Sequence, residues 1–88
     1  MNKIVDFITG SNTIKVNNEE ELNQLKKICK DKFDLEINFT WEQVKENPKF
    51  ANGICVEFQY GKGITYYTSE QESIDWYGAY PIQLKEII

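Results

Sequence analysis

The sequence predicts one α+β domain, an antiparallel β-sheet of about four to five strands with one long amphipathic helix packed on one face. Three observations lead there. A capped, amphipathic stretch from Asn18 to Phe33 reads as a helix, and short runs of β-branched and aromatic residues before and after it read as strands. At 88 residues the chain has room for a single modest core, so residues 1–88 are read as one domain.

Lys3 to Thr9 carries Ile4, Val5, Phe7 and Ile8, and Gly10-Ser11-Asn12 punctuates before Thr13 to Val16 resumes with β-branched residues. This pattern predicts a β-hairpin, while the spacing of Ile4, Phe7 and Ile8 also fits a short helix. Next, Asn18 can cap a helix with Glu21 three residues on, and Glu19, Glu20 and Glu21 complement the positive end of its dipole. Leu22, Leu25, Ile28, Cys29 and Phe33 make one apolar stripe, and Lys26, Lys27, Lys30 and Lys32 gather toward the negative end. With acidic residues one turn earlier, these lysines read as a solvated helix face rather than a phosphate site.

From Leu35 strict alternation sets Leu35, Ile37, Phe39 and Trp41 against Glu36 and Asn38, the pattern of a half-buried strand. Thr40 with Gln43 forms a second capping box, so Trp41 to Glu46 reads alternatively as a short helix that stops before Asn47-Pro48. After Asn52-Gly53 a hairpin is expected. Ile54, Val56, Phe58 and Tyr60 take one face, Gly61-Lys62-Gly63 turns the chain, and Ile64, Tyr66 and Thr68 continue that face. Cys55, Glu57, Gln59, Thr65 and Tyr67 fall on the other. Ser69-Glu70-Gln71-Glu72 offers a third cap ahead of Ile74-Asp75-Trp76-Tyr77, and Gly78-Ala79-Tyr80-Pro81 breaks what forms there. Ile82, Leu84 and Ile87 or Ile88 then predict a terminal strand.

Composition narrows the function. Hydrophobic residues at 41% and aromatic residues at 14% place the chain among globular domains rather than disordered ones. All ten basic residues are lysine, Asp and Glu total 14, and the net charge is −4. Without histidine there is no imidazole base and no Ser-His or Cys-His pair, and without arginine no bidentate fork for phosphate or guanine. A sequence pI near 4.8 argues against direct binding of nucleic acid and favours a partner with a basic face. Cys29 and Cys55 belong to no CxxC pair and read as buried thiols, so neither a metal site nor a cofactor is expected. No apolar run approaches the roughly 20 residues of a membrane span, and the N-terminus lacks a signal-peptide pattern; a cytoplasmic protein without membrane contact is expected.

One stretch stands out. From Gly63 to Leu84 the chain carries Tyr66, Tyr67, Trp76, Tyr77 and Tyr80 with Glu70, Glu72 and Asp75, and no basic residue. Large aromatic rings bring contact area at low entropy cost, and carboxylates steer a basic partner. Tyr67, Glu70, Glu72, Asp75, Trp76, Tyr77 and Tyr80 are therefore the candidate partner-binding residues. The plainer assignment puts Tyr66, Trp76 and Tyr80 in the core and leaves the acids to solvate a loop. Carboxylates so spaced in a small acidic loop are more often solvated than convergent, so no catalytic residue is assigned.

The succession of Thr13-Ile14-Lys15-Val16, Glu19-Glu20-Glu21-Leu22, Ile54-Cys55-Val56-Glu57-Phe58, Ile64-Thr65-Tyr66 and Tyr80-Pro81-Ile82-Gln83-Leu84-Lys85-Glu86-Ile87 resembles small accessory and anti-defence proteins encoded by phages of low-GC Gram-positive bacteria. The Ile, Asn, Lys and Glu bias fits such an AT-rich source. The resemblance implies a factor that binds and blocks a host protein in the host cytoplasm, CRISPR nucleases being among the targets of such factors, and it carries no catalytic residue. The expectation is thus a non-catalytic acidic binding protein that docks on a basic host protein, at a surface where nucleic acid otherwise binds. Two alternatives stand beside it. One is an oligomeric sponge for a nucleotide signal, with Trp41, Trp76 and the tyrosines stacking on a base; the other is a structural or assembly component that forms a homo-oligomer.

Overall fold

The computed structural model describes residues 3–59 and 61–87, so Tyr60 and Ile88, assigned above to the hairpin and to the terminal strand, lie outside the described residues. Lys3 to Thr9 forms a short helix, α1 (Ile4–Ile8), instead of the first strand of a hairpin. The reason is in the spacing: a helical turn buries Ile4 and Phe7 on one side, where a strand would send them to opposite faces. Phe7 then meets Phe58 with ring centroids 6.2 Å apart. After β1 (Ile14–Val16), the long helix α2 (Glu19–Phe33) starts where its caps indicate. The Asn18 side chain accepts the Glu21 N–H at 2.9 Å, and the Glu21 carboxylate accepts the Asn17 N–H at 2.8 Å. α2 ends at Asp34, which takes the left-handed conformation at φ 52° while the Leu35 N–H returns to the Cys29 carbonyl.

The alternating stretch after Asp34 is not a strand. Ile37 and Phe39 are buried and Glu36 and Asn38 exposed, as alternation requires, but the backbone joins no ladder. Its Asn38 N–H donates instead to the Thr65 hydroxyl at 3.1 Å. Alternation needs only an extended chain lying on a core, and here that chain shields the edge of the sheet. A capping box between Thr40 and Gln43 opens α3 (Trp41–Lys45), and a 3₁₀ turn (Pro48–Phe50) follows. The remaining elements are β2 (Ile54–Gln59), β3 (Ile64–Thr68), α4 (Glu70–Tyr77) and β4 (Ile82–Gln83). The last strand is two residues long, and Leu84 belongs to a closing 3₁₀ turn (Leu84–Glu86).

The four strands form one sheet in the order β3-β2-β1-β4, antiparallel except that β4 runs parallel to β1. Since β3 is also parallel to β4, α4 acts as the crossover that parallel strands need, and it crosses on the side of the sheet away from α2. The fold is α+β with α2 laid across one face, as the pattern indicated, and with α4 on the other.

Register assigns the faces. Ile14 pairs with Val56 and Val16 with Ile54, and these four residues join Leu22, Leu25 and Cys29 of α2 and Phe7 of α1 in the main core. Gln59 pairs with Ile64 across a four-residue loop, so Val56 pairs with Tyr67 and Phe58 with Thr65. This overturns the expected faces of β3. Thr65 and Tyr67 share the core face, and Ile64, Tyr66 and Thr68 look the other way. Reading Gly61-Lys62-Gly63 as a three-residue turn made the parity wrong by one, and one residue exchanges every side chain of a strand. Gly63, at φ 68°, supplies the left-handed residue that closes the loop.

Candidate functional site

The second face of the sheet starts from four polar or small positions, Thr13 beside β1, Lys15 within it, and Cys55 and Glu57 of β2, onto which α4 settles. Ser69 caps α4, its hydroxyl accepting the Glu72 N–H at 3.2 Å and donating to the Glu72 carboxylate at 2.8 Å. Gly78, at φ 70°, ends it with an N–H bonded to the Ile74 carbonyl at 2.8 Å. Between these ends the helical repeat turns Glu70, Ser73 and Tyr77 toward the sheet. Glu70 pairs with Lys15 at 3.2 Å, the buried Ser73 hydroxyl meets the buried Thr13 hydroxyl at 2.7 Å, and the half-buried Tyr77 lies toward the Glu57 carboxylate. Burial first, and Glu57 second, push the Tyr77 phenol well above its ordinary pKa. Burial likewise raises the Cys55 thiol, against hydrogen bonds to Thr13 and Ser73 that pull it down.

The outward side of α4 is different in kind. Trp76 is 81% exposed and Tyr80, in the loop behind the helix, 78%. The assignment of Tyr66, Trp76 and Tyr80 to the core therefore fails, because Tyr66 is also exposed, on the α4 side of β3 across from Glu57. The Tyr80 loop is pinned by its carbonyl, which accepts the Asn12 side-chain amide at 3.1 Å. Asp75 accepts from the Gln71 amide at 2.9 Å. Glu72 is paired with Lys49, and that ammonium, with the Ser69 hydroxyl, holds its carboxyl below the usual range.

Of the seven candidate residues the structure brings six onto α4 and its following loop, and separates Tyr67. That side chain lies on the core face, with its ring 4.7 Å from Phe39 and 5.3 Å from Phe50, and it cannot share a surface with Trp76. Within the six, Glu70 and Tyr77 turn inward, leaving Glu72, Asp75, Trp76 and Tyr80 to face solvent. What the linear reading missed is the counterions. Lys15 and Lys49 lie outside the acidic stretch yet neutralise Glu70 and Glu72, and no local spacing could have announced either pairing. Both cysteines are buried free thiols, as expected, and burial pushes the Cys29 thiol up to about 11.

Elsewhere, an open groove of about 490 Å³ lies at the end of α2, walled by Phe33, Leu35 and Phe58 and crossed by Lys30. The Lys30 ammonium bridges Asp34 at 2.7 Å and Glu36 at 3.4 Å, which keeps Lys30 protonated above its usual range and holds the Asp34 carboxyl below its own. Neither tryptophan lines this groove; Trp41 packs half-buried against the core. Among the described residues no three Cys, Asp or Glu side chains converge as metal ligands, and no helix is long and apolar enough to cross a membrane. Set against known proteins, the chain matches no family model, no curated protein and no solved structure.

Proposed function

We propose that this chain is a non-catalytic binding protein that docks on a basic partner protein through the outer side of α4 and the loop behind it. The observation that carries the reading is the exposure of Trp76 and Tyr80, two large rings presented on one short helix and its C-terminal loop, the second pinned by Asn12. Buried aromatic anchors are the commonest hot spots of protein interfaces, and few structural reasons exist to hold a tryptophan four-fifths exposed. Electrostatics plays the smaller part. The net charge of −4 favours a basic partner, but among the described residues only Asp75 of the three carboxylates lacks a lysine partner. The rings therefore carry affinity and the charge mainly steers encounter.

In its finer form the proposal is that the partner is a nucleic-acid-handling host protein, a defence nuclease such as a CRISPR nuclease being one candidate, and that the source is a phage of a low-GC Gram-positive bacterium. The motivation is the pattern-level resemblance and the acidic balance of the chain.

The test is capture from a lysate of such a bacterium with wild-type bait, with Trp76→Ala/Tyr80→Ala bait, and with Asp75→Lys bait. A stoichiometric protein held by the wild type, weakened at least about tenfold by the double aromatic variant and retained by Asp75→Lys with a flatter salt dependence, supports the reading. Equal retention by the aromatic variant refutes it.

A further inference from the structure

The two helices that clasp the sheet are attached by different chemistry. α2 buries Leu22, Leu25 and Cys29 in the main apolar cluster. α4 buries one residue, and that residue is a serine. Its sheet-facing side carries the Ser73–Thr13 hydroxyl pair, the Lys15–Glu70 ion pair and Tyr77 toward Glu57, with Ile74 and Tyr77 only half-buried and Trp76 turned outward. Hydroxyls and charges that part from one another regain water, so separating this interface forfeits little hydrophobic free energy. An eight-residue helix also has no stability of its own in water and holds its form only while docked.

The ends of α4 are built to let it move without the sheet. On the far side β4 is anchored separately, by the Ile82 N–H bonded to the Thr13 carbonyl at 2.9 Å and by the Asn12 amide on the Tyr80 carbonyl. On the near side Thr68 completes β3 by pairing with Cys55, and Ser69 lies outside any ladder. Gly78 stands between helix and anchor, left-handed and, among the described residues, with nothing beyond its chain neighbours within 4 Å of where a Cβ would sit.

We propose that α4 is a separately opening cover: it undocks from the sheet as a unit while the α2 side stays folded, and the undocked state exposes the Cys55 thiol, which the closed state seals. The inference concerns the built-in mobility of the fold and is independent of what partner, if any, takes Trp76. Cys55 lies on the α4 side, apart from the main cluster, and reaches Thr13 and Ser73; Cys29 lies inside that cluster. The two thiols thus report on the two faces. Sub-global opening of this kind follows local stability, so the face with fewer apolar contacts opens first.

The experiment is thiol exchange on the native wild-type protein with an aromatic disulfide reagent, the modified cysteine being identified by peptide mass mapping at intervals. Cys55 is expected to react at least about tenfold faster than Cys29, with a rate that barely responds to low urea. In the variant Gly78→Ala, which strains only the end of α4, Cys55 should react about fivefold faster still and Cys29 at the wild-type rate. Equal rates at the two thiols with one shared urea dependence would mean that both wait for global unfolding, and would overturn the proposal. So would a faster Cys29, an absence of reaction at Cys55 before the protein unfolds, or a Gly78→Ala effect equal at both sites.

Discussion

The two faces of this four-stranded sheet are a natural experiment in how a helix is held. On one face α2 docks through Leu22, Leu25 and Cys29 onto Ile14, Val16, Ile54 and Val56, a predominantly apolar layer. On the other, α4 docks through Ser73 onto Thr13, beside Cys55, with the Lys15–Glu70 pair at one end and Tyr77 toward Glu57 at the other. The first face makes the domain fold; the second is satisfied rather than driven. Among the described residues no buried side-chain polar atom lacks a partner, so the polar face is complete despite its small apolar content. The lesson is that covering a sheet needs two different things. One layer must supply hydrophobic free energy, and the other need only avoid stranding polar groups, which leaves its outer side free to carry Trp76.

The comparison breaks or sharpens by mutation. Leu25→Ala removes a fully buried side chain from the driven face and should cost about 2–5 kcal/mol in denaturant unfolding. Ser73→Ala should cost about 1 kcal/mol, since it leaves the Thr13 hydroxyl short of its buried partner; Thr13→Val/Ser73→Ala should cost less than the sum of the single changes. If Ser73→Ala equals Leu25→Ala, the distinction between the faces is wrong.

The exposed ion pairs give a smaller, pH-dependent effect. Lys49 beside Glu72, Lys3 beside Glu86 and Lys30 beside Asp34 hold these carboxyls below their ordinary pKa values. A depressed folded-state pKa contributes stability that is fully present above the ordinary carboxylate range and lost as pH falls through the folded value. Unfolding midpoints should therefore stay flat down to about pH 5 and decline below it, less steeply in Lys49→Gln and in high salt. The smallest effect is expected from Trp76→Ala, whose unfolding free energy should stay within about 0.5 kcal/mol of wild type. A larger loss would place Trp76 among the packed residues and remove it from the binding surface.

How much of this was legible is clearest at particular residues. Asn18 with Glu21, Thr40 with Gln43, and Ser69 before Glu72 each announced a helix start, and each helix begins there. Such caps act within one turn, so the linear chain contains the whole interaction. The class of fold and the helix across one face follow from the apolar stripe of α2 in the same way. Lys3 to Thr9 was open between strand and helix, and Leu35 to Trp41 read as a strand and joins no ladder, for a common reason: apolar spacing records which residues face the core, and the neighbours decide what backbone presents them. Tyr67 was misplaced by one residue in the count of a turn, and that single step moved it from the candidate surface to a cluster with Phe39 and Phe50.

Taken alone, the sequence determined the helix caps, the α+β class, the absence of imidazole and guanidinium side chains, and the acidic aromatic stretch from Gly63 to Leu84. All of these are set by composition or by contacts between residues a few positions apart. Only the tertiary structure decided that α4 crosses on the second face, that Lys15 and Lys49 neutralise two of its three acids, that Trp76 and Tyr80 stand in solvent, and that Cys55 lies beneath a polar cover. Each of these depends on strand register and on partners distant in the chain, and a local pattern contains no information about which distant charge or hydroxyl the fold will bring to it.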